Sequence, residues 1–228
     1  MLRPMSSLDI AVVTGANRGI GLALCQLLSA AGTHVIAACR TSSAALDALR
    51  VEVVRGVDVS AEAGVAVLKD AVGTRAVGLL INNAGILHWS DTLEKLDYPG
   101  IERQFLVNAI GPLRVTQALR SNLGRGAKVA LITSRMGSIE DNGSGGTYGY
   151  RMSKAALNIA GKSLAHDLKK AEISVAILHP GMVKTEMTGD HGQVEPLDAA
   201  RGLLARIDEL SLQTTGGFWH ANGQVLPW

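Results

Sequence analysis

Short apolar runs of strand length recur along this chain, and a segment long enough to form a helix separates each from the next. The runs are Ile10–Thr14, Val35–Ala38, Val51–Val54, Val77–Ile81, Val129–Thr133 and Ile173–Leu178. Between them lie Ile20–Ala31, Ala44–Leu49, Ala61–Ala71, Ile101–Asn122 and Tyr150–Lys170. A further helical segment, Leu197–Leu210, precedes a last short strand near Gly217–Trp219. Strands separated in this way cannot pair as hairpins. They need crossover connections, which are right-handed and make a parallel sheet covered on both faces. The expected fold is therefore α/β: a Rossmann-type doubly wound parallel sheet of about seven strands with helices on both faces. Apolar residues at 47% and charged ones at 18% suit strands buried on two sides. A length of 228 residues fits one domain over 1–228. No repeat or linker divides it, and Gly143-Ser144-Gly145-Gly146 is too short to do so. Asp9 is placed as the turn residue that starts the first strand, and Gly32 in the left-handed position that closes the first helix.

Several function classes fall away. A net charge of +2 with no Lys/Arg run gives no electrostatic case for nucleic acid. No run of about 18 apolar residues is present to span a membrane. The start, Met1-Leu2-Arg3-Pro4, leads to the strand at Asp9–Val13 and not to a small-residue cleavage site, so a cytoplasmic location is expected. Cys25 and Cys39 have no framework spacing and read as buried thiols in a reducing compartment. No His/Cys/Asp cluster has metal-ligand spacing.

The turn after the first strand carries glycines at 15, 19 and 21 and opens a helix, the context a dinucleotide-binding fingerprint requires. Gly15 allows the tight turn, Gly19 a close backbone approach to a pyrophosphate, and Gly21 close helix–sheet packing. The helix N-terminus presents free N–H groups and partial positive charge to an anion. The spacing is Gly-x-x-x-Gly-x-Gly, and without the flanking strand and helix it would suit a ligand-free turn equally well. Cofactors with an unphosphorylated ribose usually meet an acid about 20 residues further on. Here no carboxylate occurs between Gly21 and Leu46; the second strand ends in Arg40, and Arg18 sits within the glycine turn. Two guanidiniums can clamp a 2′-phosphate, which points to NADP(H). The plainer alternative is that Arg40 caps a solvated strand end.

Tyr150 and Lys154 stand four residues apart in a helix, so phenol and ammonium share a face. A phenol titrates near ~10 in water, and a fixed positive charge one turn away is expected to lower that. Tyr148 has methionine four residues on and is the weaker candidate. Thr14–Gly21, Asn82-Asn83-Ala84-Gly85 and Ser134 accompany the pair.

With these motifs the chain resembles the short-chain dehydrogenase/reductase family over essentially its whole length. The shared features are the glycine turn, Asp58, Asn82–Gly85, Asn108, Ser134, Tyr150 with Lys154, and Pro180-Gly181. Ser134-Arg135-Met136-Gly137-Ser138-Ile139, Tyr148–Lys154, and the closing Gly217–Trp219 and Leu226–Trp228 place it near the carbonyl reductase, C-factor and sniffer branch. The resemblance implies that Gly15, Asn17, Arg18, Gly19, Ile20 and Gly21 cradle the cofactor, with Asp58 and Val59 at the adenine. It puts Asn83, Ala84 and Gly85 along the adenosine ribose, and makes Asn82 a brace of the central sheet. Pro180, Gly181 and Val183 would support the nicotinamide, and Thr185 would bond its carboxamide or the phosphates. Asp58 also reads as a turn residue, Pro180-Gly181 as a strand-ending turn, and Thr185 as a helix cap.

The implied reaction is hydride transfer between nicotinamide and a carbonyl carbon. Tyr150 is the proton donor, Ser134 binds the carbonyl oxygen, Lys154 tunes the phenol and bonds the nicotinamide ribose, and Asn108 holds a relay water. Ser138 lies nearer the family's usual spacing to the tyrosine and is the alternative to Ser134. Asn108 also reads as a mid-helix amide bonding backbone. Leu87, His88, Trp89, Met136 and Met182 are placed at the pocket, His88 as wall or surface, and 184–195 as a short lid. The substrate is expected to be a small-molecule carbonyl or alcohol. Family members often pair through the Tyr150 helix and the one before it, so a homodimer or homotetramer is expected; a concentration-independent monomer mass in sedimentation would reject it. The alternatives are a dinucleotide-binding sensor of C-factor type and a 3-oxoacyl thioester ketoreductase. The latter would want a basic patch at the site mouth, for which Arg120, Arg125 and Lys128 are the candidates.

Overall fold

In the computed structural model, which describes residues 10–89, 92–189 and 191–228, the strands point alternate side chains to opposite faces of one sheet. Val12, Val129, Leu131, Val175 and Ile177 join one apolar core. Ala11, Val13, Ala130, Ile132 and Ala176 join the other. This is the period of two that pleated strands impose. The sheet is parallel throughout, in the order β3-β2-β1-β4-β5-β6-β7. Its strands are β1 Ile10–Thr14, β2 His34–Ala38, β3 Glu52–Val54, β4 Val77–Asn82, β5 Leu123–Ile132, β6 Ser174–His179 and β7 Phe218–His220. The expected doubly wound sheet is thus the observed one. The call on Asp9 lies outside the described residues, as do Met1–Pro4.

Helices α3 (Glu62–Val72), α5 (Gly111–Ala118) and α6 (Tyr148–Lys169) cover the first face, and α4 (Tyr98–Phe105) packs against α6. Helices α1 (Gly19–Ala30) and α7 (Pro196–Glu209) cover the second, and α2 (Ala44–Asp47) is a single turn. The alanines on the second face keep it shallow, so Leu24 and Leu28 of α1 and Leu203 and Ile207 of α7 reach the sheet. Leu131 is wholly buried, and its truncation to alanine would cost about 2–5 kcal/mol. At Gly161 of α6 an added Cβ would stand 2.7 Å from Leu131 Cδ1 and Ile177 Cγ1, so glycine here sets how near α6 lies to the sheet. Gly32 closes α1 with φ +84°, as its position predicts.

Two elements differ from expectation. The segment read as one helix over Ile101–Asn122 runs from Tyr98 to Ala118 and widens into a π-helical turn at Leu106–Ile110, where the Gly111 N–H donates five residues back to the Leu106 carbonyl. Pro112 is the physical reason: it has no N–H to return to the Asn108 carbonyl, so the regular ladder cannot pass that point. The strand expected at Val129–Thr133 begins six residues earlier, at Leu123. Gly124-Arg125-Gly126 looks like a turn, but Leu123 pairs with Val77 across a register shift in β4. The other boundaries move by one to two residues, apart from the shortened α2.

Candidate active site

The strand order reverses direction between β1 and β4, and a cleft of about 920 Å³ opens there at the C-terminal ends of the strands. Every residue expected at the cofactor lines it: Gly15 to Gly21 apart from Ala16, then Arg40, Asp58 and Val59, then Asn83 to Gly85, then Pro180, Gly181, Val183 and Thr185, with Tyr150 and Lys154. Ser134 lines it as well; Asn108 does not.

At one end, Gly15 turns the chain with φ +66°, and an added Cβ there would lie 2.8 Å from Ala84 Cα. The turn is stapled to β4 by Thr14, whose hydroxyl accepts from the Asn83 N–H at 3.0 Å and the Ala84 N–H at 3.1 Å. Asn83 returns the contact, its Nδ2 donating to the Thr14 carbonyl at 2.9 Å. Asn82, the expected brace of the sheet, faces the other way and donates to the Thr116 hydroxyl at 3.2 Å, tying β4 to α5. The α1 N-terminus has no side-chain cap and no acid in its first turn, so its N–H groups and partial positive charge face the cleft. Arg40 is exposed and makes no salt bridge among the described residues. These features fit an anionic dinucleotide.

Three of the alternative readings are what the geometry shows. Asp58 makes a turn, its Oδ1 accepting from the Ser60 N–H at 2.9 Å and hydroxyl at 2.6 Å; these bonds lower its pKa, helped by Arg40 and Arg103. Pro180-Gly181 ends β6, with Gly181 at φ +89°. Thr185 caps the short turn Glu186–Thr188, and its N–H donates to the Thr188 hydroxyl at 3.1 Å. All three still border the cleft. Arg18, expected at the phosphate, is ion-paired to Glu186. That pair bridges the glycine turn to the segment expected as a lid. Trp89 makes a second bridge, its Nε1 donating to the Met187 carbonyl at 3.2 Å. Asp190, assigned to the same lid, lies outside the described residues.

At the other end, Ser134, Tyr150 and Lys154 are 7%, 9% and 4% exposed. Ser134 follows β5, accepts from the Met136 N–H at 3.1 Å and acts to lower the pKa of the Tyr150 phenol. The Ser138 hydroxyl is turned to the Asp141 N–H at 3.1 Å and does not border the cleft. Lys154 Nζ donates to the Ile132 carbonyl at 2.9 Å and lies 5.6 Å from the Tyr150 ring centre. Helix α6 is seated by Thr133, which donates to Asn158 Oδ1 at 2.6 Å, and by the turn at Gly137, where an added Cβ would meet the Lys154 backbone at 2.7 Å.

The expected lowering of the phenol by its ammonium neighbour is overturned. Burial pushes Tyr150 up to about 12, against a smaller lowering by Ser134, and burial brings Lys154 down to about 8. Desolvation outweighs a partner held beyond the ring face. Tyr150 is therefore a protonated phenol at neutral pH, the state a proton donor needs. The Asn108 side chain faces other elements. Its Oδ1 accepts from the Ile86 N–H at 2.8 Å, and its Nδ2 donates to the Ile86 carbonyl at 2.8 Å and the Ser153 hydroxyl at 3.0 Å. The amide is spent on joining the β4 exit to α6. Pro112 has no N–H to offer the Asn108 main-chain carbonyl.

Among the pocket residues, Leu87, Trp89, Met136 and Met182 reach the cleft, while His88 turns its backbone N–H to Gln104 Oε1 at 3.1 Å and stays outside. Sequence reasoning missed His179. It borders the cleft, packs edge-on against His220 at 5.0 Å and is held neutral, at about 3, first by burial and then by the charges of His220, Arg135 and Lys154. Its place just before Pro180-Gly181 was the available signal. The basic patch considered for a carrier protein is not at this mouth. Arg125 and Lys128 line a separate cavity of about 410 Å³ by the starts of β4 and β5, at the opposite end of the strands. Cys25 and Cys39 are buried and free, as expected, and no helix among the described residues is long and apolar enough to cross a membrane.

A Rossmann-type sheet with a serine, tyrosine and lysine gathered at its dinucleotide cleft defines a class of oxidoreductases. The short chain dehydrogenase family matches residues 9–195, and the chain belongs to it, near the carbonyl reductase branch. It is 43% identical over 223 residues to a 1-hydroxy-2-glutathionyl-2-methyl-3-butene dehydrogenase of Rhodococcus sp. (strain AD45), covering 95% of this chain and 98% of that one. It is 45% identical over 159 residues to the C-signal protein of Myxococcus xanthus, covering 69% of this chain and 96% of that one. In structure it is similar to an NADPH-bound carbonyl reductase from chicken fatty liver, with TM-score 0.86, 29% identity, and 97% and 99% of the two chains covered.

Proposed function

We propose that the chain is an NADP(H)-dependent oxidoreductase interconverting a small-molecule carbonyl and its alcohol. The observation that carries this is the gathering of buried Ser134, Tyr150 and Lys154 at the wall of a cleft whose far end offers Arg40 and an uncapped helix N-terminus. The NADPH-bound state of the chicken carbonyl reductase supports the same cofactor here. Arg40, with Arg18 once released from Glu186, would hold the 2′-phosphate. Asp58 and Val59 would meet the adenine, Asn83 to Gly85 the ribose, and Pro180, Gly181, Val183 and Thr185 the nicotinamide end.

Bound there, the nicotinamide supplies or accepts the hydride at the substrate carbon. In reduction, Ser134 donates a hydrogen bond to the carbonyl oxygen and stabilises its growing charge. Tyr150 gives that oxygen its proton and becomes a phenolate. Lys154 stabilises the phenolate and orients the ribose hydroxyls, and the Asn108 carbonyl holds the relay water that returns a proton. A sensor role, allowed by the likeness to C-signal, would not require Ser134 and Tyr150 to meet. Exposed Leu106, Ile110, Leu113, Met152 and Ile159 on the helices over one sheet face support pairing of two or four copies through that surface.

The test is NADPH oxidation against aldehydes, ketones, diones and 3-oxoacyl thioesters. Tyr150→Phe is expected to lower turnover by about 10²–10⁴-fold while NADPH still binds. Full turnover in that variant would sink the mechanism, and failure on the whole panel would favour the sensor.

A further inference from the structure

The cationic side chains that line the cleft are Arg18, Arg40, Arg135, Arg151, Lys154 and Lys184. Three are answered by carboxylates: Arg18 by Glu186, Arg135 by Asp141 at 2.6 Å, and Lys184 by Glu195 at 2.5 Å. Lys154 is buried against the Ile132 carbonyl. Arg40 and Arg151 have no carboxylate at salt-bridge distance among the described residues. One anion cannot satisfy both. Arg40 follows β2, while Arg151 adjoins Tyr150 beside the loop that leaves β5, and those strands lie three positions apart, or about 14 Å. Arg40 faces the cofactor end. Arg151 faces the reaction end and has no anion assigned to it.

We propose that Arg151 recognises a carboxylate on the substrate, so that the preferred carbonyl or alcohol carries an acidic group a short spacer away from the reacting carbon. This rests on the oxidoreductase reading above. The present partners of Arg151 are neutral: Nη2 donates to the Ser144 hydroxyl at 2.8 Å and Nε to the Gly145 carbonyl at 3.3 Å. A carboxylate offers charge-assisted, bidentate bonds that are roughly twice as strong as such contacts. The loop that would yield is held in a strained backbone conformation. Gly145 and Gly146 both sit at φ +63°, and Thr147, at φ +49°, holds a left-handed backbone that is costly for a β-branched residue. Asp141, which lines the cleft here, is already paired with Arg135. Trp89, Met136, Met182 and Met187 line the way between, and thioether walls adapt to a flexible spacer.

The test compares benzaldehyde with 4-carboxybenzaldehyde as substrates, and benzyl alcohol with 4-(hydroxymethyl)benzoate as ligands of the NADPH complex, followed by calorimetry. The wild type is expected to favour the carboxylated member on the order of tenfold in kcat/KM and in affinity. Arg151→Gln should collapse both ratios to near one, acting through KM, and Arg151→Lys should restore part of them. Arg151→Glu should turn the preference toward 4-(trimethylammonio)benzaldehyde, an inversion that loosening of the loop alone would not produce. Equal handling of neutral and carboxylated partners by the wild type overturns the proposal, as does an Arg151→Gln variant that keeps the ratio. If neither aldehyde is reduced but the carboxylated ligand binds tighter through Arg151, the reductase reading fails and the recognition site stands.

Discussion

The glycine turn after β1 and the Ser134–Tyr150 pair border the same cleft, yet water reaches them very differently. Arg18 keeps 61% of its side chain exposed and Arg40 is open to solvent, whereas Tyr150 and Lys154 are 9% and 4% exposed. The phosphate end is made from consecutive residues: a strand end, a turn and the first N–H groups of α1. The reaction end is made from side chains just after β5 and on α6 that meet only in the folded chain. In the first, exposed side chains act by what they attract. In the second, burial decides which groups are charged at all, holding Tyr150 as a phenol and weakening Lys154 as an ammonium.

If that contrast is right, substitutions at the two ends should separate cleanly. The largest effect after Tyr150→Phe belongs to Ser134→Ala, expected to lower kcat by about 10²–10³-fold with NADPH affinity kept. Ser138→Ala should leave kcat within a few-fold, and the reverse order in steady-state assays would reassign the hydroxyl. Arg40→Ala should weaken NADPH on the order of ten- to a hundredfold in a fluorescence titration and leave NADH unchanged. The NADPH affinity of the wild type should fall with added salt, as expected of an exposed charge; equal loss for both cofactors would remove the 2′-phosphate clamp.

The pH profile tests the buried end. Lys154 titrates at about 8 and must be charged to stabilise the phenolate left after proton transfer, while Tyr150 keeps its proton to about 12. The kcat/KM for reduction should be level below about 8 and fall tenfold per unit above it; a profile flat to pH 10 would show that the ammonium does not matter. The smallest effect joins the two ends. Glu186→Gln frees Arg18 from an exposed pair worth about 0.2–1 kcal/mol, so NADPH should bind a few-fold tighter.

The parts legible in the sequence were those written in consecutive residues. Gly15, Gly19 and Gly21 after an apolar run announced the turn, and Tyr150 with Lys154 announced a shared helix face. Ser134 could be preferred over Ser138 by its place at a strand end, and the two hydroxyls do face different partners. Spacing gave no hint of where Asn108 would point, because that depends on a π-turn created by Pro112 and on Ile86 and Ser153 arriving from other elements. Nor did it show that Glu186 would cross the cleft to Arg18, or that His179 would lie against His220.

The family resemblance named most residues of the cleft, and local pattern was enough to dictate the alternation of strands and helices, the parallel sheet and the glycine turn. It was enough because periodicity, turn chemistry and strand-end position are properties of short stretches of chain. The tertiary structure alone decided the protonation of Tyr150 and Lys154, the occupation of Arg18 and Asn108, and which arginines were left without a carboxylate. Those outcomes follow from desolvation and from pairing between distant segments, and both exist only once the chain has folded.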